Sequence, residues 1–217
     1  MTQDERKGDD SGEGMGGGVE ITQDMTNHFK YRTGYHLWCV RKWSDRIATL
    51  GDSRICRQLL DKERDDHDEM KWVSPEYEPY VLISWGYKCR REGIEFRLPD
   101  NIKQTTHEAT FHHIKNHRHH PEFWDEQVTI DSLNKDDRDR PSAGRKVDGS
   151  KMPLTYVAAM VADWCAMSEE LGGHPKKWAD DNIGVRWSFT DSQVELIFDL
   201  LERVWPHRPE TKTKEEE

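Results

Sequence analysis

The stretch MPLTYVAAMVADWCAM, residues 152–167, is the strongest indication of how this 217-residue chain folds, because it contains one charged side chain, Asp163. A run this apolar predicts a buried helix. An ionised carboxylate rarely lies in a buried helix without a cation or a hydrogen-bonding partner. The sequence therefore predicts that Asp163 faces a polar site within the core, and that other parts of the chain supply its partners.

A helical pattern also precedes this run. Apolar and aromatic residues recur at helical spacing from His36 to Ile47, and Gly51 is placed to end that helix. Asp52 or Ser53 can cap a second helix, which we expect to run towards residue 67. These features predict two consecutive helices at the start of the folded region.

Helix signals continue downstream. Ser74 as N-cap and Pro75 as the first helical residue predict a third helix, which ends near Gly93. A fourth helix is predicted over residues 101–117.

The last helix is predicted over residues 194–205, because residues 190–193 (TDSQ) have capping-box form. Strand patterns are scarce, and residues 94–98 are the clearest alternation. The chain is therefore predicted to be all-α, a single-domain helical bundle of about six to seven helices.

Polar segments set the domain limits. Residues 1–24 are charged and glycine-rich, which predicts a disordered tail, and residues 207–217 predict a charged C-terminal tail. The folded domain is expected over residues 25–206. Within it, residues 131–150 are polar and contain glycine, which predicts a long exposed loop.

The composition excludes several function classes. The formal charge of −10 predicts no binding to duplex nucleic acid, because such surfaces need clustered Lys and Arg. The chain has no apolar window of about 18 residues, so no membrane span is expected. Its four cysteines lack CxxC spacing, which favours reduced thiols. We therefore expect a cytoplasmic protein, whose oligomeric state the sequence leaves open.

Candidate partners for Asp163 occur throughout the chain. His36 lies on the apolar face of the first helix, His67 and Asp68 are adjacent, and five histidines fall between positions 112 and 120. Imidazole and carboxylate groups together suit divalent iron, manganese, zinc or a similar metal. The alternatives are a core histidine at position 36, a histidine-rich surface patch, and an Asp163 that pairs with Arg186 or with a buried Trp N–H.

The position of Lys71 adds to this set. On a helix it lies one turn after His67 on the same face, where its ammonium group can contact a substrate phosphate. Adjacent His67 and Asp68 side chains point about 100° apart on a helix, so they share an ion only if it lies between them. The alternative is a solvated charged face.

The segment FHHIKNHRHHPEFW, residues 111–124, has the densest cluster of histidines. If it is helical, His113, Asn116 and His120 share one face at positions i, i+3 and i+7. Pro121 predicts a break near the end of this helix.

The order His36, then His67 and Asp68, then Asp163 on an apolar helix resembles the HD-domain superfamily of metal-dependent phosphohydrolases. In that superfamily a His…His-Asp…Asp set holds a divalent metal in a helical core. The resemblance implies an HD-domain-like bundle with these four residues as metal ligands. It also implies a phosphate-binding role for Lys71.

From about residue 35 to 205 the chain is also similar to an often phage-encoded HD-like family of unestablished activity. The similarity is carried by HDEMKWVSPEYEPY (residues 67–80), HHIKNHRHHPEFW (residues 112–124) and PLTYVAAMVADW (residues 153–164). Superfamily members with two metals add two histidines before the last Asp, much further apart than His113 and His120. His113 is therefore a candidate for either a second metal or the substrate.

The resemblance implies a phosphohydrolase acting on a nucleotide or other small phosphoester, with iron, manganese, zinc, cobalt, nickel or magnesium as its cofactor. We expect the metal to activate water, Lys71 to neutralise phosphoryl charge, and His119 or His120 to protonate the leaving oxygen. Two other functions stay open. One is a di-iron oxygenase on the same scaffold, which needs His113 and His120 at a second iron. The other is a non-catalytic binding protein with a structural metal.

Overall fold

The computed structural model describes residues 19–132 and 145–205, and these residues confirm the all-α prediction. They form eight α-helices and one sheet of two short strands. The helices are α1 (Gln23–Thr49), α2 (Arg57–Asp65), α3 (Tyr77–Glu92), α4 (Asp100–Asn116), α5 (Pro121–Trp124), α6 (Leu154–Leu171), α7 (Pro175–Asn182) and α8 (Asp191–Val204). Most of the two predicted tails and the centre of the loop predicted over residues 131–150 fall outside the described ranges.

Helix α6 is the centre of the bundle. It packs against α1, α2, α7 and α8, and Val157, Ala158, Val161 and Ala162 are fully buried. Neighbours on several sides explain why this helix is apolar around nearly its whole circumference. Asp163 is the exception, since its side chain is 16% exposed and lines a cavity.

The connection between α1 and α2 differs in part from the prediction. Helix α1 ends near Gly51 as expected, and this glycine has a left-handed φ of +62°. The prediction that Asp52 or Ser53 caps the next helix is wrong, because α2 begins at Arg57. The Asp52 carboxylate instead accepts hydrogen bonds from the backbone N–H and the guanidinium of Arg54, which stabilise a turn.

The start of α3 also differs from the prediction. Ser74 and Pro75, which are joined by a cis peptide bond, precede the helix, and α3 begins at Tyr77. The carbonyl oxygen of Val73 accepts the N–H groups of Glu76 and Tyr77, at 3.0 Å each. A turn therefore occupies the position predicted for the cap.

Other predicted helix ends are confirmed. Helix α3 ends before Gly93, which has a left-handed φ of +69°, and α4 matches the predicted fourth helix to within one residue at each end. At the start of α8, the Thr190 hydroxyl accepts the N–H of Gln193, and the Gln193 side chain accepts the N–H of Thr190. This is the predicted capping box, and it stabilises the start of α8.

The two strands are β1 (Val147–Asp148) and β2 (Trp187–Ser188), which pair in parallel. The sequence predicted a loop at β1, and its clearest strand pattern, at residues 94–98, forms no strand. The carboxylate of Asp125 accepts the N–H of Asp148 at 2.9 Å and helps to hold β1. This contact depends on tertiary structure, so local periodicity does not encode it.

The apolar core has two parts. The larger cluster surrounds α6, and the smaller one joins Phe29 of α1 with Tyr80 and Val81 of α3 and with residues of α4. The four cysteines are free thiols, and three of them are buried. Among the described residues, no helix combines the length and the apolar character needed to cross a membrane.

Candidate metal centre

Four side chains from three parts of the chain converge on one point. Nε2 of His36 lies 3.2 Å from Oδ1 of Asp163 and 3.6 Å from Oδ2 of Asp68. Nε2 of His67 lies 3.6 Å from the same Asp163 oxygen and 3.8 Å from the same Asp68 oxygen. The structure therefore brings together the four residues that the resemblance implies as ligands of one metal.

His67 and Asp68 reach the centre from a turn, so the prediction that they lie on a helix is wrong. Helix α2 ends at Asp65, and Asp68 has a left-handed φ of +57°, a conformation that Asp adopts more readily than most residues. On a helix the two side chains would point about 100° apart. In the turn, both side chains lie beside His36 and Asp163.

Lys71 contacts the centre directly and does not share a helix face with His67. It lies in the 3-10 helix Glu69–Trp72, and its Nζ is 2.5 Å from Oδ2 of Asp68. The same ammonium group lies 4.9 Å from the centroid of the Tyr80 ring. Its positive charge is therefore beside the carboxylate oxygen that faces the first two histidines.

A second group of histidines faces the other oxygen of Asp68. Nε2 of His113 lies 3.2 Å from Oδ1 of Asp68, and the rings of His113 and His117 have centroids 4.2 Å apart. Asp68, His113 and His117 offer ligand atoms within 4.8 Å of one another, and so do His113, His119 and His120. Asp68 thus directs one carboxylate oxygen towards each of two histidine groups.

The later histidines reach this group through a reversal of the chain. Helix α4 ends at Asn116 and His117 is extended, so the predicted helical relation between His113 and His120 is wrong. The N–H of His120 donates to the carbonyl oxygen of His117 at 3.1 Å, and this turn leaves the His113 and His120 rings 4.9 Å apart. Pro121 disfavours helical backbone at His120 and begins α5.

Glu76, which lies just before α3, orients His113. It is fully buried, and its Oε2 lies 3.0 Å from Nδ1 of His113 while its Oε1 lies 2.8 Å from Nδ1 of His112. A carboxylate at one ring nitrogen fixes the tautomer that leaves the other nitrogen available to a metal. No local pattern signals this contact, because it joins residues 37 positions apart.

Carboxylates also lie behind two other histidines. Oε2 of Glu170 lies 3.5 Å from Nδ1 of His36, and Arg32 donates a hydrogen bond to the other Glu170 oxygen at 2.6 Å. Oε1 of Glu63 lies 3.6 Å from Nδ1 of His119. A carboxylate therefore lies near an Nδ1 atom in both histidine groups, and the contacts of Glu76 are the ones with hydrogen-bonding geometry.

Burial and neighbouring charges set the protonation of the centre. Burial lowers the pKa of His36, but Asp163 and Glu170 outweigh it and raise this pKa to about 9. Burial favours a high pKa for Asp163, yet the neighbouring imidazoles of His36 and His67 hold it well below its usual range. Burial and the neighbouring histidines lower the pKa of His117 to about 4. Ionised Asp163 and neutral His117 are in the forms that bind metals, whereas His36 has to release a proton when a metal binds.

Several buried ring nitrogens at the centre have no hydrogen-bond partner within residues 19–132 and 145–205. They include Nε2 of His67, Nε2 of His117 and Nε2 of His120. Buried polar atoms normally have a partner, and coordination to a metal satisfies an imidazole nitrogen of this kind. The residues at the centre therefore fit a divalent metal ion.

The centre adjoins a cavity of about 450 Å³, whose lining also includes Glu122, Arg186 and Trp187. Nε1 of Trp187 donates to Oε1 of Glu122 at 2.9 Å, and a guanidinium nitrogen of Arg186 lies 3.6 Å from the same oxygen. The sequence left Arg186 and a buried Trp N–H open as partners of Asp163. In the structure, Arg186 and the N–H of Trp187 contact Glu122 instead.

The fold and the site together define a class of protein, an all-α bundle in which buried histidines and aspartates meet beside a cavity. Within this class, the chain belongs to DUF5662, a family of unknown function, whose model matches residues 25–208. No curated protein and no solved structure matches the chain. The chemistry of the protein therefore has to be inferred from the centre itself.

Proposed function

We propose that this protein is a metal-dependent phosphohydrolase of HD type, which acts on a nucleotide or other small phosphoester. The observation that carries the proposal is the Asp68 carboxylate, whose two oxygens face two separate histidine groups beside a cavity. The order of His36, His67, Asp68 and Asp163 along the chain, which resembles the HD-domain superfamily, supports the same chemistry.

The first metal site consists of His36, His67, Asp68 and Asp163. Two imidazoles and two carboxylates form a mixed nitrogen and oxygen donor set, which suits iron, manganese, zinc, cobalt or nickel. Magnesium fits less well, because it prefers oxygen ligands and retains its waters.

A second metal site is supported by the group around the other Asp68 oxygen. His113 is its best-oriented ligand, because Glu76 holds its Nδ1 while its Nε2 faces Asp68. His117 and His120 each contribute an Nε2 nearby that has no hydrogen-bond partner in the part of the chain that the structure describes. The short separation along the chain is not an obstacle, because the turn after Asn116 brings these rings to His113.

The remaining side chains have defined roles in the proposed reaction. When bound, a divalent ion makes water a nucleophile at neutral pH and withdraws charge from a phosphoryl oxygen. Lys71 neutralises charge that develops on the transferred phosphoryl group. Burial lowers the pKa of both His119 and His120, so neutral rings are favoured. We therefore assign these two residues as ligands or phosphate contacts, in place of the proton-donor role expected from the sequence.

A di-iron oxygenase is the second candidate function. It is favoured by the presence of candidate ligand atoms on both sides of Asp68. Its requirement for a second iron at His113 is compatible with the geometry. A purely structural metal is less well supported, because the centre lines a cavity of a size typical of ligand-binding sites.

The test is phosphate release from a panel of nucleotides and small phosphoesters by protein without a His-tag, loaded with manganese, cobalt or iron. We expect release that His67→Ala abolishes and His28→Ala preserves, because His28 does not line the cavity. Circular dichroism confirms that both variants are folded. Equal release by His67→Ala contradicts the proposal. Oxygen consumption by the iron-loaded protein without phosphate release favours the oxygenase.

A further inference from the structure

Glu122 is a fully buried carboxylate that the metal centre does not use. Its Oε1 accepts the hydrogen bond from Trp187, and Lys115 holds its backbone carbonyl at 2.9 Å. Its Oε2 is buried and has no hydrogen-bond partner among the described residues. Glu122 lines the cavity, so its carboxylate lies next to any molecule bound there.

A purely structural role accounts for only one of the two carboxylate oxygens of Glu122. Oε1 alone is enough to fix the indole of Trp187, and an amide side chain could accept that hydrogen bond equally well. A buried carboxylate with one oxygen unpaired is unfavourable unless a ligand or solvent completes it. Its position in the cavity wall therefore points to recognition of a ligand.

Arg186 places a hydrogen-bond donor beside this acceptor. Its guanidinium lies 3.6 Å from Oε1 of Glu122 and 4.5 Å from the Trp187 ring centroid. The negative charge of Glu122 opposes an anion at this position, so a second phosphate is not the favoured occupant. A neutral group that offers a donor to Glu122 and an acceptor to Arg186 matches the pair.

The rest of the cavity wall suits a planar group. Trp164 stacks on Trp187 with ring centroids 5.4 Å apart, and Trp178 lines the same cavity. Trp164 follows the candidate ligand Asp163 directly, so this aromatic wall adjoins the metal centre. About 450 Å³ is more than a phosphate needs and is within the range for small-molecule ligands.

We propose that Glu122 and Arg186 form a recognition subsite for a nucleobase. Glu122 accepts a hydrogen bond from an N–H group of the base, and Arg186 donates one to an adjacent ring nitrogen or carbonyl oxygen of the base. The inference rests on the proposed function in one respect, because it makes the substrate a nucleotide whose phosphate meets the metal centre. Binding of the base itself requires no metal.

The experiment is calorimetric titration of adenosine, guanosine, cytidine and uridine, which carry no phosphate, into the full chain. We expect at least one nucleoside to bind wild type and His67→Ala alike. Glu122→Gln is expected to weaken its binding about tenfold or more, because an acceptor becomes a donor. Glu126→Gln, the same change at an exposed carboxylate, is the matched control and is expected to have no effect.

Arg186→Gln provides a second variant, since the Arg186 side chain is 18% exposed whereas that of Glu122 is 2% exposed. A similar loss of affinity is expected from it. The subsite is overturned if no nucleoside binds wild type, or if both variants bind as wild type does. If a nucleoside binds but no phosphoester releases phosphate, the result supports the nucleobase subsite and contradicts only the proposed phosphohydrolase activity.

Discussion

Oδ1 of Asp68 lies 3.2 Å from Nε2 of His113, whereas the other oxygen of this carboxylate faces His36 and His67. One short side chain therefore joins two histidine groups that are far apart in the sequence. A carboxylate is suited to this position, because its two oxygens can each bind a cation. Substitution of Asp68 is accordingly expected to affect both groups.

Asp68→Asn is expected to abolish metal binding at both groups and to lower kcat/KM for the best phosphoester about a thousandfold or more, as loss of a shared ligand removes the activating ion. Metal analysis and phosphate release measure the two effects. The control is Asp66→Asn, since that neighbouring side chain is 44% exposed and pairs with Lys62. Full metal content in Asp68→Asn contradicts the assignment.

Glu76→Gln is expected to weaken binding of the second metal by about ten- to a hundredfold while the first site is unchanged, because Glu76 orients His113 and not His36 or His67. Titration of the metal-stripped protein with cobalt, followed by absorbance, separates the two sites. Glu78→Gln, the same change two residues later in the first turn of α3 and outside the centre, is expected to match wild type. Equal weakening of both sites indicates general damage to the fold.

Lys71→Met is expected to lower kcat/KM for a phosphoester about a hundredfold with no loss of metal. The ammonium group neutralises phosphoryl charge in the proposed reaction, whereas its contact with Asp68 is not needed once a metal binds that carboxylate. Metal content and steady-state kinetics are measured on the same sample. An unchanged kcat/KM contradicts a role for Lys71 in the reaction.

The ionisation of Asp52 is expected to make the free energy of unfolding depend on pH in the acid range. Hydrogen bonds from Arg54 lower its pKa from 3.8 to about 2 in the folded protein. A carboxyl group whose pKa is lower in the folded than in the unfolded protein stabilises the fold at pH values above its unfolded pKa. This contribution is lost as the pH falls from about 4 to about 2.

Asp52→Asn is therefore expected to lower the free energy of unfolding at pH 7 by about 1–2 kcal/mol, after allowance for solvent screening. The difference from wild type is expected to shrink as the pH falls towards 2. Denaturant unfolding at several pH values measures it, with Asp180→Asn as an exposed control. A difference that is the same at pH 2 and pH 7 contradicts a stabilising role for the ionised Asp52 carboxylate.

The sequence predicted best where local chemistry and tertiary structure agree. The apolar run around Asp163 is a central helix because it has neighbours on several sides, and Gly93 ends α3 because it adopts a left-handed φ. The capping box of Thr190 and Gln193 formed because its partners are three residues apart. Each of these features has a signal that a short window of sequence contains.

The prediction was wrong where a turn replaced a helix. The left-handed φ of Asp68 and the extended backbone of His117 end helical geometry just where the candidate ligands lie. The support from Glu76 and Glu170 was missed because these carboxylates meet their histidines only through tertiary packing. The sequence thus indicated the candidate histidine and aspartate ligands but not the geometry that would allow a second metal.

Elemental analysis of tag-free wild-type protein, beside Asp163→Ala and Asp66→Asn, tests the metal centre most directly. We predict about two divalent ions per chain in wild type and in Asp66→Asn, with at least one of them lost in Asp163→Ala, because the candidate ligand sets fall into two groups, one around His36 and His67 and one around His113. No metal in wild type after exposure to iron, manganese, zinc, cobalt or nickel contradicts the proposed centre. So does an Asp163→Ala variant that binds added metal as wild type does.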